Sequence, residues 1–105
     1  MKILDKEIDF DLNDAENIDK IRALDSDYAL KINDGTTLTQ QCEIYKEFFD
    51  ATLGEGTSEI LFEGKNNYMK IVKAYNEFIE AIEKQLEEFM VESEKAKAKY
   101  ERYMK

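Results

Sequence analysis

The amino-acid sequence predicts a mainly α-helical protein (α+β in class), with a small N-terminal β-hairpin or single strand followed by three or four helices. The C-terminal helix is expected to be long and overhanging. All nine aspartates lie in the first half of the 105 residues, whereas the second half is acidified by glutamate alone. Because aspartate favours caps and turns and glutamate favours helix interiors, broken structure should precede long helix. In addition, residues 66–105 contain neither proline nor glycine.

The N-terminal segment alternates apolar and acidic residues, with Ile8, Phe10 and Leu12 on one side of the chain. A period of two predicts a half-buried strand. Ile3 and Leu4 predict a shorter strand before it, which would complete a hairpin. Because an isolated two-stranded hairpin is only marginally stable, this one should pack on helices.

Two capping-box motifs, Asn13 with Glu16 and Thr37 with Gln40, predict where the first two helices begin. The first helix has an uncertain end, at the latest at the Asn-Asp-Gly turn signal that follows it. The second should end at Gly54, where a glycine cap belongs. The apolar face of the first helix comprises Ile18, Ile21, Leu24 and, if the helix extends that far, Tyr28. The apolar face of the second comprises Leu38, Cys42, Tyr45, Phe48, Phe49 and Leu53.

The final helix is predicted to begin near Asn67, after a short helical segment at residues 57–62. Its apolar residues at helical spacing are Tyr68, Ile71, Val72, Tyr75, Phe78, Ile79, Ile82, Leu86, Phe89 and Met90. Continued to the last residue, the helix would be about 60 Å long, whereas a compact domain of this size has a radius of gyration of about 13 Å. Residues 1–91 should therefore form a single helical domain, and residues 92–105 a charged helical extension or a frayed tail.

The excess helix points to a protein partner, and the candidate partner-binding residues are Phe89, Met90, Tyr100 and Tyr103. We expect self-association of the chain through this helix. Residues 92–105 carry 5 Lys/Arg against 3 Glu, so a docking tail would meet the acidic N-terminal half of a neighbouring subunit. The alternative is a solvated helix end with mixed charges and no partner.

The sequence contains few residues suited to catalysis, to cofactor binding or to metal binding. It has no histidine, the commonest general base and metal ligand. Its single cysteine, Cys42, falls on an apolar helix face and is better explained as a core residue than as a nucleophile. A calcium loop beginning at Asp9 fails, because Asp14 replaces the required glycine and Lys20 the required glutamate. We expect a non-enzymatic protein without cofactors.

The net charge of −9 is concentrated in residues 1–50, which hold 6 Lys/Arg against 13 Asp/Glu. Such a chain is repelled by nucleic acid and by anionic membranes, so neither is an expected direct partner. The charge either aids solubility alone or attracts a basic partner. The candidate acidic surface comprises Asp9, Asp11, Asp14, Glu16, Asp19, Asp25 and Asp27. An acidic N-terminus without a signal peptide and a lone cysteine favour the cytoplasm of the host cell.

Several segments carry a resemblance to a known group of proteins. They are Glu7-Ile8-Asp9-Phe10-Asp11, Asp14-Ala15-Glu16, Cys42-Glu43-Ile44 through Phe48-Phe49-Asp50, Leu53-Gly54-Glu55-Gly56-Thr57 and Leu61-Phe62-Glu63. In these segments the chain resembles a family of short acidic proteins from phages and prophages of Gram-positive bacteria, encoded in the tail module. The resemblance implies a tail assembly chaperone, which would bind the helical tape measure protein.

Two functional hypotheses follow. The first is a phage tail assembly chaperone-like module, oligomeric and acting on a helical partner. The second is a phage-encoded inhibitor of a host defence nuclease, of the anti-CRISPR type. In that case the acidic N-terminal half would mimic nucleic acid in a basic channel.

Overall fold

The computed structural model describes residues 1–104, within which the chain forms a two-stranded antiparallel hairpin followed by four helices. The elements are β1 (Lys2–Ile3), β2 (Lys6–Glu7), α1 (Ala15–Ala29), α2 (Leu38–Leu53), α3 (Thr57–Phe62) and α4 (Tyr68–Tyr103). The predicted fold class is confirmed, including the long overhanging helix. The molecule measures 59 × 30 × 20 Å, with a radius of gyration of 16.9 Å. The last residue of the predicted extension, Lys105, lies outside the described residues.

The hairpin is shorter than predicted, and the predicted strand at residues 8–12 is wrong. Leu4 and Asp5 both have positive φ angles (52° and 63°), so a tight two-residue turn brings Lys6 back opposite Ile3. The ladder closes where the Ile8 N–H donates to the Met1 carbonyl oxygen at 2.7 Å. Residues 8–14 then run without helix or strand, since no strand of residues 1–104 lies beside them.

Helix α1 begins one residue later than predicted, because Asp14 and not Asn13 is its N-cap. The Asp14 carboxylate accepts a hydrogen bond from the Glu16 N–H at 2.9 Å. A charged acceptor is favoured at this end of the helix dipole. Asn13 instead donates its backbone N–H to Asp11, and its side-chain oxygen accepts from Gln85 of α4 at 3.2 Å.

The predicted capping box of Thr37 and Gln40 at the start of α2 is confirmed, with both reciprocal bonds present. The predicted cap at Gly54 is also confirmed, and the turn after it leads directly into α3. Asp50 of α2 fixes this turn by accepting from the backbone and the hydroxyl of Ser58, at 2.8 and 2.9 Å. The prediction for Leu38 is wrong: it lies in the exposed first turn of α2 and is 61% exposed.

The core is centred on two adjacent aromatic residues of α2, Phe48 and Phe49. The Phe49 ring lies 5.6 Å from that of Phe62 in α3, and 5.7 Å from that of Phe78 in α4. The Phe49–Phe62 pair packs edge to face, which is a favourable arrangement for aromatic rings. The buried residues that complete the core are Ile3, Ile8, Ile18, Ile21, Cys42, Leu61, Ile71, Ala74 and Ile82.

Helix α4 has two halves with different environments. It begins where predicted, and its N-cap is Asn67, whose side chain accepts from the Lys70 N–H at 3.2 Å. The first half packs on the body, and the Glu77 carboxylate also accepts from the Leu4 N–H in the hairpin turn at 2.8 Å. From Met90 onward, every residue as far as Met104 is exposed. The prediction that Met90 belongs to the buried stripe is therefore wrong, because the body ends before it.

Candidate functional site

The exposed half of α4 continues the apolar face of its buried half. Leu86, Phe89, Ser93, Ala96, Tyr100 and Tyr103 follow one another at alternating intervals of four and three residues, and we call them the distal seam. This is the heptad spacing by which a helix presents one continuous face to another helix. The same spacing extends backwards through Ile82, which is buried.

The distal seam changes from half-buried to exposed along its length. Leu86 and Phe89 pack partly against the core. Tyr100 is 65% exposed and Tyr103 is 90% exposed. Two large aromatic side chains in line with a core-packing face, but beyond their own core, are typical of a surface that another molecule covers.

A groove lies at the root of the exposed half, where α4 leaves the body. It has a volume of about 530 Å³ and is lined by Arg22, Leu86, Phe89, Met90, Ser93 and Glu94. We call it the root groove. Its floor is apolar, and its rim carries one cation, Arg22 of α1, and one anion, Glu94. It can therefore accept an aromatic side chain that has a polar edge.

Three charged residues and one methionine flank the distal seam. Glu92 and Lys99 lie on one flank, while Met90 and Lys97 lie on the other, at the positions that face a paired helix in heptad packing. Glu92 also contacts Lys95 at 3.4 Å. That pair is exposed on both sides, so it contributes little to stability.

The structure brings two of the four predicted partner-binding residues together at the root groove, namely Phe89 and Met90. Tyr100 and Tyr103 lie on the same face about 16 and 21 Å further along the helix. Sequence reasoning missed Ser93 and Ala96, because small residues do not stand out as an apolar stripe. The signal that would have found them is the unbroken heptad spacing between Phe89 and Tyr100.

The predicted acidic surface is only partly assembled. Its residues Asp9, Asp11, Asp14, Glu16, Asp19 and Asp27 are exposed. Asp11 and Asp14, however, accept backbone hydrogen bonds at the entry to α1. Lys20 and Arg22 are exposed on the same helix, so the carboxylates do not form an uninterrupted field.

The seventh predicted acidic residue, Asp25, is half-buried rather than on the open surface. Its carboxylate accepts a hydrogen bond from the Tyr75 hydroxyl of α4. Burial, reinforced by this hydrogen bond and by the charge of Asp25, raises the pKa of Tyr75 far above its usual value. The pair lines an apolar cleft of about 210 Å³ between α1, α2 and α4. It acts as a structural link across the cleft.

Two further features of the described residues bear on chemistry, namely the state of the single cysteine and the grouping of possible metal ligands. Cys42 is buried, as predicted, and burial raises the pKa of its thiol, which opposes thiolate formation. Within residues 1–104 no three Cys, Asp or Glu side chains are grouped so that they could hold a metal ion. Among the helices of those residues, none has both the length and the apolar character needed to cross a bilayer.

The fold and the distal seam together define a class, a small mainly α-helical protein whose last helix projects beyond its core. The chain belongs to the family of unknown function DUF6673, whose model matches residues 4–105. No curated protein matches the chain. No solved structure matches it either.

Proposed function

We propose that the protein is a non-enzymatic interaction module that docks a helix of a protein partner on the distal seam. We further propose that it acts in phage tail assembly, as a chaperone-like protein for a helical partner such as the tape measure protein. One observation carries the proposal. The heptad face of α4 continues past the body of the molecule, with Tyr100 and Tyr103 exposed.

Helix docking explains the residue types along the distal seam. Ser93 and Ala96 are small, so a partner helix can approach closely in the middle of the surface. Phe89 and Tyr100 lie on either side of them and supply apolar anchors. This pattern of spaced anchors on one helix face is how helices recognise each other in water.

The tail-assembly part of the proposal rests on the resemblance carried by the segments 7–11, 14–16, 42–50, 53–57 and 61–63. In the structure the segments 42–50, 53–57 and 61–63 correspond to most of α2, the turn after it and the end of α3. Of these elements, α2 packs directly on α4, and α3 packs on α2. The distal seam is a separate surface, so the partner it binds is inferred from its own geometry.

The nuclease-inhibitor hypothesis is the second candidate, and the exposed carboxylates around α1 favour it. Mimicry of nucleic acid needs regularly spaced negative charge that is not locally neutralised. Lys20 and Arg22 interrupt that charge on α1, and Asp25 bonds to Tyr75 instead of facing solvent. The distal seam is therefore the better-supported surface.

Co-purification from cells that express the phage tail genes tests the proposal. Tagged wild-type protein is compared with Tyr100→Glu and with Met69→Glu, and bound proteins are identified by mass spectrometry. Met69 is the matched control, because it lies on the same helix and is 74% exposed but belongs to the other face.

We expect wild type and Met69→Glu to retain a long helical tail protein, and Tyr100→Glu to lose it. Equal recovery by all three proteins would show that the distal seam is not the docking surface. Recovery of a host nuclease in place of a tail protein, with binding that weakens steeply as salt rises, would favour the inhibitor hypothesis instead.

A further inference from the structure

We infer that the distal seam of the isolated protein pairs with the distal seam of a second copy of this chain, with the two α4 helices antiparallel. In this dimer Tyr100 and Tyr103 of each copy occupy the root groove of the other. The inference rests on one part of the proposed function, namely that the distal seam is a helix-docking surface.

Antiparallel pairing matches the size of the residues along the distal seam. The register that aligns the two seams sets Leu86 opposite Tyr103 of the second copy, and Phe89 opposite Tyr100. Ser93 then lies opposite Ala96 at the centre, so small residues meet where the helices cross. The overlap is about 26 Å long and obeys the two-fold symmetry of an isologous interface.

The root groove supports this register, because in it the aromatic residues of each copy meet an apolar groove on the other. It is lined by Leu86 and Phe89, the two residues that face Tyr103 and Tyr100 of the second copy. Each ring would lie against an apolar floor, and Arg22 at the rim can contact the ring face or hydroxyl. An exposed aromatic pair and an apolar groove on one chain are thus complementary.

The flanking charges favour the same arrangement. Glu92 of one copy lies opposite Lys99 of the other, and symmetry repeats this contact. On the other flank Met90 faces Lys97, whose aliphatic stem can pack on it without opposing charge. No like charges meet across these two flanks in the antiparallel register.

The shape of the molecule favours antiparallel over parallel pairing. The body covers the seam face of α4 completely as far as Ile82, which is buried, and partly as far as Phe89. In a parallel dimer the two bodies would lie side by side on that face and collide. In the antiparallel dimer they lie at opposite ends, and each exposed half of α4 fills the space between them.

Charge reversal with sedimentation equilibrium tests the register. Glu92→Lys sets two lysines opposite each other, and Lys99→Glu sets two glutamates opposite each other. We expect each single variant to raise the dimer dissociation constant about tenfold. The double variant restores the pairing in reverse and should return within about threefold of wild type. Loading concentrations from about 5 to about 500 µM suit an interface this small.

Cross-linking of mixed variants that each carry one added cysteine tests the orientation. We expect Glu92→Cys to cross-link with Lys99→Cys of another copy, because these positions face each other only in the antiparallel register. Preferential cross-linking of Glu92→Cys with Lys97→Cys would indicate a parallel pair and overturn the inference. The native Cys42 is buried and should not react under native conditions.

Failure of this inference and failure of the proposed function give different results. A chain that stays monomeric at every concentration overturns the dimer, even if Tyr100→Glu still abolishes capture of a tail protein. A dimer with the predicted cross-link that captures no helical tail protein supports the inference and contradicts the proposed function. A dimer insensitive to charge reversal at Glu92 and Lys99 overturns the register.

Discussion

Phe89 and Tyr100 lie on the same face of α4, about three helical turns apart, but in different environments. Phe89 packs against the core, whereas Tyr100 is 65% exposed. The helix therefore carries one apolar face across the boundary of its own domain. A face that is buried at one end and exposed at the other is the central feature of this molecule.

The first prediction concerns this contrast. Phe89→Ala should lower the free energy of unfolding by about 1–2 kcal/mol. The loss is smaller than for a fully buried ring, because the half-buried ring makes only part of the contacts that the substitution could remove. Tyr100→Ala should change it by less than about 0.5 kcal/mol in dilute solution, since an exposed side chain has little to lose. Urea denaturation at low protein concentration measures both. An equal loss for the two variants would show that Tyr100 packs within its own chain.

The second prediction concerns the exposed half of α4. Removal of residues 92–105 should leave a folded domain whose thermal midpoint falls by only a few degrees, because the segment contributes no buried side chain up to Met104. Circular dichroism measures the midpoint, and sedimentation should show that the shortened chain no longer self-associates. Unfolding of the shortened chain at room temperature would contradict this prediction.

The third prediction concerns Tyr75 and Asp25. Tyr75→Phe leaves a half-buried carboxylate without its hydroxyl donor, so we expect a loss of about 1 kcal/mol at pH 7. The pKa of Tyr75 is raised by folding. Its contribution is therefore fully present below the unfolded value of about 10, and it is lost as pH rises through the folded pKa.

Absorbance titration of the tyrosines checks the same pair. Tyr75 should remain neutral at pH values above the ordinary tyrosine pKa of about 10. Asp25→Asn removes the nearby negative charge, so it should lower the pKa of Tyr75 relative to wild type. Titration of Tyr75 at the ordinary tyrosine pKa of about 10 in wild type would argue against the hydrogen bond and the burial.

The fourth prediction concerns the turn between α2 and α3. Gly56 has a φ angle of +90°, and a Cβ built on it would meet no atom within 4 Å. Gly56→Ala should thus cost about 1–2 kcal/mol from backbone strain alone. Gly35→Ala is the control without backbone strain, since Gly35 does not adopt a positive φ. Its new Cβ would lie 3.3 Å from the Asn33 Oδ1, a contact that a small shift of that exposed side chain relieves, so the loss should be smaller than at Gly56. Equal losses at the two glycines would contradict a strain-based explanation.

Local signals in the sequence predicted most helix boundaries. Thr37 was identified as a cap because a cap depends on residues within one helical turn. The same reasoning failed by one residue at Asn13, since Asp14 beside it is an equally good cap. It also failed for the strand at residues 8–12. Alternation reports which side chains face the core, but it does not report whether a neighbouring strand exists.

Non-local features could not be predicted. Helical spacing identified the face on which Leu38 and Met90 lie, but not how far the body extends to cover that face. The bond between Tyr75 and Asp25 joins residues that are 50 positions apart, so no local pattern indicates it. The sequence predicted only some residues of the candidate site. Its aromatic residues stood out, whereas Ser93 and Ala96 between them carry no signal without the heptad register.

Hydrogen–deuterium exchange of the backbone amides in residues 92–104 tests the central claim most directly, because it reports whether this exposed helix gains a partner. We expect fast exchange in dilute solution, since a helix end without tertiary contacts opens readily. Protection should then rise at least about tenfold with protein concentration, or on addition of a helical tail protein. It should not rise for Tyr100→Glu. Equally fast exchange under all these conditions would contradict the claim that the distal seam is a docking surface.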